Sequence, residues 1–149
     1  RPYVLGARPS FADLGLWGQL YELWSDPTPG ALMKERAPRV AAWVGRMLDP
    51  KAEGEFESLD ALLPTLKPVL CEQVAGLFLP WSDANARALA TGEKEFSVEL
   101  SGKPFTQQTQ KYHARSLGVI REKYAATRSA ALDKVLEETG CLRWLAQSD

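Results

Sequence analysis

Chemistry in this 149-residue chain would have to come from one histidine, two cysteines and a set of tryptophan and tyrosine rings. His113 has no second histidine, cysteine or paired carboxylate at ligand spacing, so it reads as a solvated or hydrogen-bonded side chain rather than a metal ligand or general base. Cys71 and Cys141 are too few and too far apart for a disulfide framework or a zinc site, and no Cys-x-x-Cys occurs. Two small buried thiols in a reducing, cytoplasmic setting are expected. The chain has no Gly-x-Ser-x-Gly elbow, no phosphate-cradling glycine loop and no His-Glu-x-x-His. The expectation is no catalytic residue and no metal site.

Binding is better represented than catalysis. Trp17, Tyr21, Trp24, Trp43 and Trp81 could line an apolar pocket, although the helical spacing of the first four suits core packing. The run Gln107 to Arg115 puts Tyr112 and His113 among polar and basic groups at a helix start, where free amides could take an anion. The substrate-pocket candidates are therefore Trp17, Tyr21, Trp24, Trp81, Tyr112 and His113.

These residues must be positioned by helices. In "PSFADL", Ser10 can cap a helix while Asp13 reaches back to the Ser10 amide, and Pro9 is placed to staple Leu14. The cap stands before a weak helix, since Gly15 and Gly18 each cost about 1 kcal/mol relative to alanine. Leucines and aromatic rings occupy nearly every face behind it, which predicts a central core helix. Pro29 and Pro38 are suited to open two further helices, the second carrying Val40, Trp43, Val44 and Met47 on one face.

"DPKAEGEFE" has no apolar period and reads as a linker. Beyond it, Pro64 and Pro68 split a helical pattern that continues to Phe78, Ser82 or Asp83 caps the next helix, and Gly92 ends it. "EFSVELSGKPF" alternates and turns at Ser101-Gly102, predicting one hairpin near residues 94–108 with an edge strand weakened by Pro104. Residues 109 to 139 read as one long helix or two nearly collinear ones, closed by Gly140.

Residues Pro2 to Met47 resemble the second half of the helical C-terminal domain of cytosolic glutathione transferases. Leu5-Gly6, Pro9-Ser10 and Ala12-Asp13 stand in register with that family's run into its buried sixth helix, and Pro38, Val40 and Trp43 match its seventh. The resemblance implies a mainly all-α helical bundle of the transferase C-terminal type, in which Ser10 and Asp13 form a structural capping box. It divides the chain into transferase-type helices at 1–50, forming an incomplete domain, a linker at 51–57 and a helical extension with a hairpin at 58–149. It also implies a parent protein that conjugates glutathione, its co-substrate, to an electrophile. The activating group of that parent lies in an N-terminal thioredoxin-like domain, so these residues alone would be inactive and the sequence would be a cut from something longer.

Two other functions fit the same residues: a non-catalytic protein interaction module and a carrier of apolar ligands. Eighteen basic and nineteen acidic residues are scattered along the chain, which leaves no footprint for nucleic acid. The longest apolar run, Val74 to Trp81, falls far short of the ~20 residues of a membrane span, so neither partner is expected. A homo-oligomer is, because the glycine face of the first helix would lack a partner.

Overall fold

The computed structural model describes residues 1–146. It is mostly helical with a single two-stranded sheet among the described residues, in the order α1 (Phe11–Ser25), α2 (Pro27–Arg36), α3 (Pro38–Arg46), α4 (Leu59–Pro68), a π-helical segment (Val69–Phe78), α5 (Leu79–Ala90), β1 (Glu95–Leu100), β2 (Lys103–Gln108), α6 (Lys111–Thr127), α7 (Ala130–Glu138) and α8 (Leu142–Leu145). The chain divides into two compact units, Arg1–Leu63 and Pro64–Asp149, with the division inside α4.

In the first unit, the capping box at Ser10 starts α1. Asp26 caps α2 with Pro27 at its first position, so this helix begins before the Pro29 start expected from the sequence: a capping side chain and a pre-set φ outweigh the turn-rich composition. The polar stretch read as a linker is tied down. Ala7 donates to Glu55 O, Glu53 to Ala7 O and Glu57 to Leu5 O, all between 2.9 and 3.0 Å. Gly6 sits between these segments at φ 145°, and an added Cβ would lie 2.7 Å from Glu55 O. Only glycine fits that crossing.

α1 is not the enclosed core helix its composition suggests. Asp13 is its one fully buried residue, whereas Phe11 is 92% exposed and Leu14, Leu16 and Leu23 are exposed as well. The rings of Trp17, Tyr21 and Trp24 are half-buried. The helices of this unit that pack most against α1 are α2 and α3.

The second unit has a contiguous apolar core of Ala75, Leu79, Leu117, Tyr124, Cys141 and Leu145. An α-helix was expected across Lys67 to Phe78, but Val69–Phe78 is π-helical, with the Leu79 N–H bonded to Val74 O five residues back. Pro64 and Pro68 lack amide donors and disturb the α register just before it. The wider turn brings Leu70, Ala75 and Leu79 onto the core side together. The helical run Leu59–Ala90 is also long and apolar enough to cross a membrane by length and composition alone.

Ser82 and Asp83 do not cap α5 as expected. Both are buried inside it, and Asp83 instead accepts from Arg121 at 2.8 Å and Arg87 at 3.0 Å. Because α5 runs on directly from the π-helical segment, no free helix start is left at Asp83 to cap, and its carboxylate pairs across to α6 instead. Both α5 and α7 end in the same way. Gly92 and Gly140 take positive φ, and the next amides, of Glu93 and Cys141, reach back to Ala88 O and Leu136 O.

The span 109–139 is two helices, parted at Arg128 and capped anew by Ser129, whose hydroxyl accepts from Leu132 N–H. Asp133 clasps the break, accepting from Tyr124 Oη at 2.7 Å and Arg128 Nε at 2.8 Å. The Tyr124 bond, then the Arg128 bond, hold the Asp133 carboxyl below its ordinary range, while the same carboxylate pushes the Tyr124 phenol up.

Candidate functional site

The most organised polar site is built on Asp13. Its side chain accepts four hydrogen bonds: Oδ1 from Val4 N–H at 2.8 Å and Trp43 Nε1 at 3.2 Å, Oδ2 from Ser10 N–H at 2.9 Å and the Ser10 hydroxyl at 2.6 Å. The Ser10 oxygen in turn accepts from Asp13 N–H at 3.5 Å. Burial pushes this carboxyl up, but the Ser10 hydroxyl, the Val4 and Ser10 amides and the Trp43 indole together hold it below the ordinary carboxylate value. An ionised carboxylate with every lone pair occupied has no capacity left for proton transfer. It ties the segment that leads into α1, the start of α1 and the middle of α3 into one joint.

The six pocket candidates fall into two groups, three in each unit. In the first, Trp17 and Tyr21 meet with ring centroids 4.9 Å apart, Tyr21 and Trp24 stack at 6.0 Å, and Trp17 Nε1 donates to Val44 O at 3.2 Å. Lys34 Nζ lies 5.6 Å over the Trp24 ring. Trp43 pointing into α1 and Trp17 pointing into α3 make reciprocal indole bonds between the two helices.

In the second unit, the Trp81 ring meets Phe96 at 5.8 Å and His113 at 5.1 Å, both edge-on, and its Nε1 donates to Gln107 Oε1 at 3.1 Å. Tyr112 is 77% exposed on α6, lies edge-on to His113 at 6.1 Å and borders a groove with Arg115 and Val119. Nearby, the Asn85 amide both donates to Gln110 O and accepts from Gln110 N–H, fixing the start of α6. The Trp43, Gln107 and Arg121 partners carry no local signal in the sequence. Each is separated from its mate by a turn or more of unrelated structure, and no periodicity marks it.

Among the described residues, no group of three His, Cys, Asp or Glu side chains could hold a metal ion. An apolar concavity of the first unit, about 560 Å³, is lined by Leu5, Pro9, Phe11, Leu14, Pro50 and Phe56.

The helices joined through Asp13 coincide with a family match. The model of the glutathione S-transferase, C-terminal domain family covers residues 1–46, ending with the last residue of α3. Over residues 1–46 the chain is similar to that domain. No curated protein and no solved structure matches the chain. In this transferase-type segment Ser10 and Asp13 organise the fold, and the aromatic rings of α1 lie between its helices and solvent. Residues 47–146, with the second unit's core, lie outside the match.

Proposed function

We infer that the chain is the C-terminal part of a glutathione-transferase-like protein whose whole form conjugates glutathione to an electrophile. The transferase-type segment serves as scaffold. The observation that carries this reading is the Asp13 joint inside the matched segment, where the one buried carboxylate of α1 is wholly engaged in hydrogen bonds that shape the fold.

On this reading glutathione and the electrophile meet at groups supplied by a thioredoxin-like domain, the expected partner, and the protein works in the cytoplasm, apart from nucleic acid and membrane. The 149-residue chain on its own should then give no conjugation of glutathione to a standard aryl halide, followed by absorbance. Turnover above the uncatalysed rate would overturn the reading.

A second reading, an assembly module of the same helical type, is favoured by the open side of α1. Phe11, Leu14, Leu16 and Leu23 give it exposed apolar surface of a kind that marks interaction sites. Self-association follows from either reading. A homo-oligomer should appear in light scattering at micromolar concentration, and a monodisperse monomer would count against an unpartnered α1. The carrier reading would require saturable quenching of tryptophan fluorescence by an apolar ligand.

A further inference from the structure

Two thiols far apart in the sequence lie against one helical segment of the second unit. Cys141 is 1% exposed in the apolar core, just before α8, while Cys71 is part-exposed in the π-helical segment, and both are free. The expectation of two buried thiols therefore holds for Cys141 alone. One of the pair is open to an oxidant in solvent and the other is shielded from it.

Two contacts place Cys141 beside Cys71. The Cys141 thiol donates to Leu70 O at 3.7 Å, and that carbonyl belongs to the peptide that joins Leu70 to Cys71. Across a trans peptide the carbonyl oxygen lies about 2.8 Å from the next Cα, so the Cys141 sulfur is within about 6.5 Å of the Cys71 Cα. Gly140 supplies the second contact, since a Cβ there would lie 3.7 Å from the Ala75 Cβ. Ala75 follows Cys71 by four residues, and side chains four apart share one face of a helical turn. The Gly140-Cys141 turn thus runs along the part of the π-helical segment that carries Cys71. The Cys141 amide, bonded to Leu136 O at 2.8 Å, holds that turn in place, and a χ1 rotation at Cys71 swings its sulfur toward the Cys141 thiol.

We propose that Cys71 and Cys141 form a redox switch: hydrogen peroxide oxidises Cys71, and Cys141 closes a disulfide on it that locks the π-helical segment to the turn between α7 and α8. In the first step the Cys71 sulfur gives an electron pair to one peroxide oxygen, the O–O bond breaks, water leaves and Cys71 becomes a sulfenic acid. In the second the Cys141 sulfur attacks the Cys71 sulfur, the S–O bond breaks and the hydroxyl departs with the Cys141 proton as a second water. The two thiols have then lost two electrons and two protons, and peroxide has become two waters. Small-molecule thiols of a reducing compartment restore the pair by exchange. The bond closes a loop that holds α5, the hairpin, α6 and α7, so the locked form resists unfolding. Both cysteines lie outside residues 1–46, and this inference does not depend on the transferase reading, which the conjugation assay tests separately.

The test treats the reduced 149-residue chain with hydrogen peroxide in the presence of dimedone, which traps sulfenic acid, and reads the intact mass and a non-reducing peptide map. The folded chain should lose two hydrogens and yield a linked peptide pair holding Cys71 and Cys141, with disulfide exceeding dimedone adduct about tenfold or more. In denaturing urea the ratio should reverse, because only the fold keeps the thiols together. Cys141→Ser should stop at the Cys71 adduct, and Cys71→Ser should leave Cys141 unmodified. A dithiol reductant should restore the starting mass, and the oxidised chain should melt above the reduced one by about 5 °C or more.

A folded chain that accumulates the dimedone adduct in place of the disulfide would overturn the proposal. So would a disulfide yield equal to that in urea, an adduct on Cys141 in the Cys71→Ser chain, or links only between two chains. An unchanged melting temperature after oxidation would overturn the lock and with it the switch. The comparison of folded and urea-unfolded wild-type chain decides the matter whether or not Cys141→Ser, which buries a hydroxyl, folds.

Discussion

The two units achieve order by different means. Residues 64–146 enclose an apolar cluster, Leu79, Leu117, Tyr124, Cys141 and Leu145 among its members, and polar clasps at Asp83, Asn85 and Asp133 sit at its margins. In the first unit the buried apolar residues, Tyr3, Met33, Val44, Met47 and Leu62, form no comparable cluster, while α1 turns several of its leucines and Phe11 to solvent. There the hydrogen bonds at Asp13 and the backbone bonds linking residues 5–7 to 53–57 hold the segments in register. A unit that depends on one polar joint should fail when that joint is broken, whereas a unit with a core should weaken in proportion to the volume removed.

The sharpest way to break this contrast is Asp13→Ala. It leaves the Val4 and Ser10 amides and the Trp43 indole without their acceptor, and with about 1–3 kcal/mol for each unsatisfied buried donor, a loss of about 4 kcal/mol is expected in the first unit. Urea unfolding followed by tryptophan fluorescence reads it, and a loss below about 1 kcal/mol would show that the joint is dispensable.

The same residue gives a pH test. Its folded carboxyl lies below the ordinary value, so its stabilisation is complete above the unfolded pKa near 3.9 and disappears as pH falls through the folded value. Asp13→Asn should therefore flatten the acid limb of the first unit's stability curve. The limb belonging to Asp133 and Glu138, held low by Tyr124 and Lys67, should remain.

Leu117→Ala probes the other half of the comparison. Leu117 is 1% exposed at the centre of the second unit's core, and truncation there should cost about 3 kcal/mol, leaving a cavity. Equal destabilisation of the first unit, read from its own tryptophans with Trp81 and Trp144 replaced by phenylalanine, would show that the two do not fold independently.

The smallest expected effect bears most directly on the open side of α1. Gly15 and Gly18 are exposed, and an added Cβ at either would meet nothing within 4 Å. Changing each to alanine should raise thermal stability by up to about 1 kcal/mol. A loss would mean that something packs closely on that face in solution, and the contrast between the units would have to be redrawn.

Much of the local structure was legible in the residues. Ser10 and Asp13 are close in sequence and of the right types to bond reciprocally, glycine can adopt the conformation that ends α5 and α7, and Ser101-Gly102 between alternating runs specifies a tight hairpin. Such features depend on neighbours a few positions apart, so composition and spacing carry them. The candidate site was less legible. Trp17, Tyr21 and Trp24 could be seen to lie on one helix, and their helical spacing pointed to core packing rather than to the half-buried positions they take. Ser82 and Asp83 looked like caps, although the chain does not begin a helix there.

What the amino-acid order determined by itself was where the helices and the hairpin lie and which residue types begin and end them, because backbone propensity, capping and side-chain period act over single turns. Only the tertiary structure decided that Asp13 would receive the Trp43 indole, that Asp83 would face Arg121, that Val69–Phe78 would widen into a π-helical segment, and that Phe11, Leu14, Leu16 and Leu23 of α1 would stay exposed. Those outcomes depend on which distant segments arrive at the same place. The cost of burying a polar group without a partner, or of leaving apolar surface in water, is fixed only once they have met.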